Sequence, residues 1–131
     1  MSRLLPPITS DTAEWWNATR ERRLVVQRCN ACGAFQHYPR ALCTTCGATD
    51  LTFDEVTGTG SVVSFTVVHR APSNQFTPPY VVALVRLDEG VQLLTNIVAA
   101  PEDVRCDQPV AVVWAALDDG RHLPQFAPTE A

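Results

Sequence analysis

Apolar and polar positions alternate with a period of two through the second half of the chain, and that period predicts strands. Val63, Phe65 and Val67 fall on one face of the first, with Ser64 and Thr66 on the other. Tyr80 to Leu87 reads as a second strand, apolar on both faces except at Arg86. Asp88-Glu89-Gly90 turns the chain into a third, Val91 to Val98. A fourth, Val110 to Ala115, leads through Asp118-Asp119-Gly120 to a closing segment, Arg121 to Phe126. Five or so antiparallel strands in about seventy residues would leave both sheet edges open unless the sheet closes. A small barrel of the OB type meets that need, and a small open sandwich is the alternative from pattern alone. The loop from Ala71 to Pro79 carries prolines and is long enough to bind something.

The first half reads differently. Thr9-Ser10-Asp11-Thr12 offers N-cap candidates, with Asp11 and Glu14 spaced as a capping box, so a short helix is expected from Thr12 to Arg23. It carries Trp15 and Trp16, adjacent residues that cannot share one helix face. A helix this short needs something to pack on. The two tryptophans therefore dock either on the chain's own core or on a partner. Leu24 to Arg28 is a strand entering the first cysteine pair, and Gly33 to Leu42 forms a hairpin between the pairs. Thr57-Gly58-Thr59-Gly60 punctuates the chain. The expected division is residues 1–23 as a helical segment, 24–56 as a metal ribbon and 57–131 as an OB-fold domain.

Cys29-Asn30-Ala31-Cys32-Gly33 and Cys43-Thr44-Thr45-Cys46-Gly47 carry the strongest chemical signal. Two C-x-x-C units supply four sulfurs, which suits the tetrahedral demand of one zinc ion. The glycine after each pair permits the positive φ of a knuckle, bringing backbone N–H groups toward the thiolates. Four protein ligands leave no open position for water or substrate, so the metal is expected to be structural; iron or redox-active thiols are the competing uses. His37 and His69 are not needed as ligands. Cys106, the odd cysteine, is expected to be a small buried hydrophobe.

Composition narrows the function classes. The chain has 131 residues, 46% of them hydrophobic, enough to bury a core. No apolar run is long enough to span a membrane and the N-terminus lacks a signal-peptide pattern, so a soluble, cytoplasmic protein is expected. The net charge is −4, and all ten basic residues are arginine. An acidic chain is a poor match to a phosphate backbone.

The tryptophan-bearing helix, the two C-x-x-C-G units and Tyr38-Pro39-Arg40 between them resemble a known family. The likeness extends through Gly58 to Arg70, Pro79 to Val85, Leu87-Asp88-Glu89-Gly90 and Leu123 to Pro128. It covers nearly the whole chain and points to the zinc-ribbon and OB-fold proteins called domain of unknown function thirty-five. The resemblance implies an N-terminal helix, a rubredoxin-like zinc ribbon and an OB barrel. It further implies an accessory subunit of acyl-CoA enzymes, partnering a thiolase-like enzyme, a steroid side-chain aldolase or a hot-dog-fold hydratase, in a heteromeric complex. One departure stands out: where the family often has glycine after Glu-Asp-Val, this chain reads Val104-Arg105-Cys106-Asp107.

Three function classes follow. The first is a non-catalytic subunit that binds acyl-CoA. CoA phosphates favour arginine, and its adenine favours an aromatic or guanidinium surface. Tyr38, Arg40, Arg70 and Tyr80 are the candidates near the ribbon–barrel junction, with His69 beside them; the alternative is that the tyrosines fill the junction core and the arginines are solvated. Trp15, Trp16, Phe76, Pro78 and Pro79 are the candidate partner-facing residues. The second class is a single-stranded nucleic-acid module, which needs a basic groove with exposed aromatics, whereas the central strands offer only Arg86. The third is an independent enzyme, for which no spacing suggests a catalytic set.

Overall fold

The computed structural model describes residues 5–74 and 76–129, which form one α-helix, α1 (Ala13–Arg20), a single 3-10 turn (Pro101–Asp103) and eight strands. The helix is shorter than its pattern suggests, for reasons at both ends. Thr12 is the N-cap, but its side chain makes no capping bond. Its hydroxyl instead accepts from the Thr9 N–H at 3.0 Å, so the Asp11–Glu14 capping box is not what starts the helix. At the other end Arg22 takes a left-handed φ of 55°. The Arg23 and Arg22 N–H groups then return to the carbonyls of Ala18 and Thr19, the bond pair that closes a helix with a left-handed residue.

A three-stranded antiparallel sheet follows, in the order β2 (Phe35–Gln36), β1 (Val25–Cys29), β3 (Leu51–Glu55). Strand β3 pairs along all of β1, from Val25 opposite Glu55 to Cys29 opposite Leu51. It has no counterpart in the sequence reading. The remaining strands are β4 (Thr59–Val68), β5 (Tyr80–Leu87), β6 (Gln92–Ile97), β7 (Pro109–Ala116) and β8 (His122–Pro128). They close a barrel in the order β4-β5-β6-β8-β7, with β7 returning to β4. That is the five-stranded OB architecture, and the sandwich alternative is set aside. Val62, Val81, Val85, Leu87, Val110 and Phe126 fill its interior. Among the described residues, no helix is long and apolar enough to cross a membrane.

Alternation puts Val63 on one face with Phe65 and Val67, but a bulge between Val62 and Ser64 shifts the register and separates them. Val62 is therefore fully buried and Val63 exposed, while Phe65 and Val67 pack on the core. The turn before β7 dispenses with glycine because Asp107 takes φ 66°, a conformation aspartate tolerates. Its N–H donates to the Val62 carbonyl at 2.7 Å, so this turn also holds the bulge. Cys106 beside it is exposed, not a buried hydrophobe.

Candidate metal centre and junction groove

The four cysteines are brought together by two near-identical knuckles. In each, the glycine N–H donates to the carbonyl of the first cysteine, Gly33 to Cys29 at 2.8 Å and Gly47 to Cys43 at 2.9 Å. Both glycines have φ 80°. The ligating sulfurs of Cys29, Cys32, Cys43 and Cys46 all lie within 4.8 Å of one another. The Cys29–Cys46 and Cys32–Cys43 separations are 3.6 and 3.7 Å. A tetrahedron with metal–sulfur arms of about 2.3 Å has sulfur–sulfur edges of about 3.8 Å, so the set fits one zinc ion.

The electrostatics of the sulfurs agree. The backbone N–H groups of Cys46 and Thr45 pull the Cys43 thiol down to about 6. Cys46 is pushed up to about 12: the Ala48 N–H favours its thiolate, but the neighbouring sulfurs of Cys29 and Cys32 and burial outweigh it. Four sulfurs this close become thiolates together only around a cation. Cys29 and Cys43 face inward, while Cys32 and Cys46 are exposed. The metal is structural, since all four coordination positions belong to the protein.

Helix, ribbon and barrel meet around a groove of about 490 Å³. Trp15 and Trp16 come from the helix, His37, Tyr38 and Arg40 from the ribbon, and Leu84, Gln92, Leu93 and Leu94 from the barrel. The two tryptophan rings stand edge to face, 4.7 Å apart. Trp15 turns to the ribbon, 5.6 Å from His37 and 6.2 Å from Tyr38. Trp16 turns to the barrel, under the guanidinium of Arg121. Both are buried in the chain's own core, which corrects their placement among partner-facing residues. The adjacent positions that cannot share a helix face serve two bodies instead. His37 is partly buried, and burial pushes its imidazole down to about 4.

Of the five candidate ligand contacts, the groove collects only Tyr38 and Arg40, both exposed. Tyr80 begins β5 opposite Val68, with exposed His69 and Arg70 just beyond the end of β4. Leu84, the nearest β5 residue in the groove, is four positions along, about 13 Å at strand rise. Tyr80 stacks on Phe76 at 5.5 Å beside a second cavity of about 300 Å³. His69, Arg70 and Tyr80 are thus not junction residues, because β5 carries Tyr80 away from the ribbon. Pro78 and Pro79 are exposed in the same loop, and Phe76 is partly buried. Leu84 and Leu94 form the barrel wall of the groove and carry no signal of that role in the sequence. Leu94 is 72% exposed, and only the strand register reveals that its side chain shares the outer face with Leu84.

A four-cysteine ribbon and an OB barrel joined by one helix define a zinc-ribbon, OB-fold protein. The chain belongs to the DUF35 family. Residues 16–52 match the ChsH2 rubredoxin-like zinc ribbon domain, and residues 54–115 the ChsH2 C-terminal OB-fold domain. A DUF35 domain-containing scaffold protein of Methanocaldococcus jannaschii is 34% identical, over 80% of each chain. A probable enoyl-CoA hydratase alpha subunit of Thermomonospora curvata is 44% identical over 94% of this chain, which spans only 39% of that protein's length. A 3-oxo-4,17-pregnadiene-20-carboxyl-CoA hydratase alpha subunit of Mycobacterium tuberculosis is 34% identical, with 37% of its length spanned. Among solved structures, a chain described as Ltp2-ChsH2(DUF35) aldolase superposes with a TM-score of 0.87 at 44% identity, covering 95% of this chain and 98% of that one.

Proposed function

We propose that this chain is a non-catalytic accessory subunit that binds acyl-CoA and partners a thiolase-like enzyme, such as a steroid side-chain aldolase, in lipid or steroid CoA-thioester metabolism. The observation that carries this reading is the nearly end-to-end likeness to the chain described as Ltp2-ChsH2(DUF35) aldolase. The closed metal site supports a non-catalytic role, since it has no position for substrate. In this reading Tyr38 offers a stacking surface and Arg40 a guanidinium at the junction groove. Tyr80, with His69 and Arg70, is a second contact region that an extended ligand reaches along β5. Phe76 and Pro78 are the proposed partner-facing residues of the loop.

A second reading has its own observation. The relatives named as hydratase alpha subunits match this chain over little more than a third of their length. The chain then stands for one unit of such a subunit, acting beside a hydratase.

Co-expression with a thiolase-like and, separately, a hydratase-type subunit from the same host tests both, with complex mass read by light scattering after size exclusion. A stoichiometric complex with the thiolase-like subunit supports the first reading, and one only with the hydratase moves the assignment to the second. Elution alone in both cases, or salt-sensitive retention on single-stranded DNA, overturns both. Calorimetric titration with acyl-CoA tests the ligand, and Tyr38→Ala and Arg40→Ala are expected to weaken it about tenfold each, or about 1.4 kcal/mol.

A further inference from the structure

Residues 37–44, which carry Tyr38 and Arg40, lie outside helix and strand, yet their backbone is gripped by two buried side chains. Gln27 of β1 holds Arg40 from both sides. Its Nε2 donates to the Arg40 carbonyl at 2.9 Å, and its Oε1 accepts from the Arg40 N–H at 2.8 Å. The same Oε1 accepts from Nε2 of Gln36 at 2.8 Å. Gln36 also donates to the Leu42 carbonyl at 3.1 Å and accepts from the N–H and hydroxyl of Thr44 at 2.9 and 3.2 Å. Thr44 sits inside the second knuckle, between Cys43 and Cys46. A continuous chain of bonds therefore runs from the metal ligands through Thr44, Gln36 and Gln27 to the wall of the junction groove.

The residue type follows from the task. A primary amide presents a donor and an acceptor in one plane and so imitates the N–H and C=O of a strand neighbour. A carboxylate brings no donor and a lysine no acceptor. An apolar side chain would strand the Arg40 N–H and the Gln36 amide without partners. Gln27 and Gln36 are 4% and 8% exposed, so water is a poor substitute for either.

We infer that Gln27 and Gln36 are positioning residues that transmit the fold of the second zinc knuckle to Tyr38 and Arg40, so that metal occupancy sets the shape of the junction groove. The inference rests on the proposed function only in treating that groove as the ligand site. Linkage makes the coupling reciprocal: whatever binds the ordered groove tightens the metal by the same factor.

Residue-resolved amide exchange on the full chain, loaded with zinc and after chelation, tests the transmission without any ligand. On metal removal the Arg40 amide is expected to exchange at least tenfold faster, together with that of Cys46, while the Leu84 amide in the barrel is unchanged. Gln27→Met, still holding one zinc per chain, is expected to speed Arg40 at least tenfold and leave Cys46 protected. Gln36→Met is expected to speed both Thr44 and Arg40. A merely structural role for Gln27 would raise exchange through the whole ribbon, Cys29 and Asn30 included, and would overturn the inference. So would an Arg40 amide that stays slow after chelation, a result that needs no variant. Free coenzyme A is the probe for the consequence: Gln27→Met should bind it at least tenfold more weakly. If the unaltered chain binds no coenzyme A while the exchange pattern holds, the transmission stands and the acyl-CoA reading fails.

Discussion

The guanidinium of Arg121 lies 4.6 Å from the centre of the Trp16 ring, and both side chains are almost wholly buried. Arg121 belongs to the turn between β7 and β8, so this contact fastens the helix to the barrel. Asp119 receives its Nε at 2.7 Å, and the Pro6 carbonyl receives its Nη2 at 2.9 Å. Burial alone would raise the Asp119 carboxyl, but the N–H groups and charge of Arg121 hold it below the usual range. Arg121→Ala removes a cation–π contact, an ion pair and packing together, and should destabilise the fold by about 3 kcal/mol in urea denaturation with zinc in excess. Arg121→Lys should recover less than half of that, because an ammonium cannot both lie flat on the indole and fork to its acceptors. Equal midpoints for all three chains would mean that the helix docks on tryptophan packing alone.

Gly60 makes a second sharp case. It pairs with Leu87 of β5 on one side and Val110 of β7 on the other, where the barrel closes. A Cβ built there would meet the backbone carbonyl oxygen of Arg86 at 2.3 Å. Backbone cannot swing aside as a side chain can, so Gly60→Ala must separate β4 from β5. An overpacking loss toward the upper end of about 1–3 kcal/mol is expected, read as a lower melting temperature with zinc still bound. A neutral result would show that the two strands part at no cost.

Much of the architecture was legible because it rests on short-range rules. Two C-x-x-C-G units specify a metal knuckle by local geometry, and β5, Tyr80 to Leu87, was bounded correctly by its unbroken apolar run between a proline loop and Asp88-Glu89-Gly90. The failures share a cause in contacts that span the sequence. Val63 shares a face with Phe65 and Val67 in the sequence pattern because alternation is blind to a bulge held by Asp107, more than forty positions away. Strand β3 was missed because five residues alternating Leu51, Thr52, Phe53, Asp54, Glu55 become a strand only beside β1. Gly60 read as linker punctuation, yet it is a strand residue under close approach. The groove was half legible: Tyr38 and Arg40 sit between the knuckles, whereas Leu84 and Leu94 needed the β5–β6 register to be placed on one wall.

His37, beside the groove, should make the stability of the fold depend on pH. Burial lowers its pKa to about 4, while an unfolded chain restores about 6.5. Between those values the unfolded state binds more protons than the folded one, so stability rises with pH. The contribution is complete above about pH 6.5 and is lost progressively as pH falls toward 4, by up to about 3 kcal/mol. His37→Phe keeps an aromatic ring beside Trp15 and Tyr38 but cannot titrate. Its melting temperature should fall less steeply than that of the unaltered chain between pH 6.5 and 5, where zinc retention is checked in parallel. Parallel slopes would place the acid sensitivity elsewhere.

The metal centre predicts an order of chemical attack. Cys106 is an exposed free thiol, Cys32 and Cys46 are exposed ligands, and Cys29 and Cys43 are buried ligands. Bound thiolates share their charge with the metal and react more slowly than a free one. One equivalent of N-ethylmaleimide should therefore label Cys106 with no zinc released. Excess reagent should then reach Cys32 and Cys46, and release should track those two sites by peptide mapping. Metal binding in such sites supplies folding energy, about 10–16 kcal/mol in zinc-finger peptides, so release should also unfold the ribbon. Trp15, which packs against His37 and Tyr38, then becomes exposed and its emission shifts to the red. The barrel's hydrogen bonds do not pass through the ribbon sheet, so its far-ultraviolet signal should persist. Zinc leaving together with Cys106 labelling would mean that Cys106 takes part in holding the metal, and the four-ligand assignment would fall.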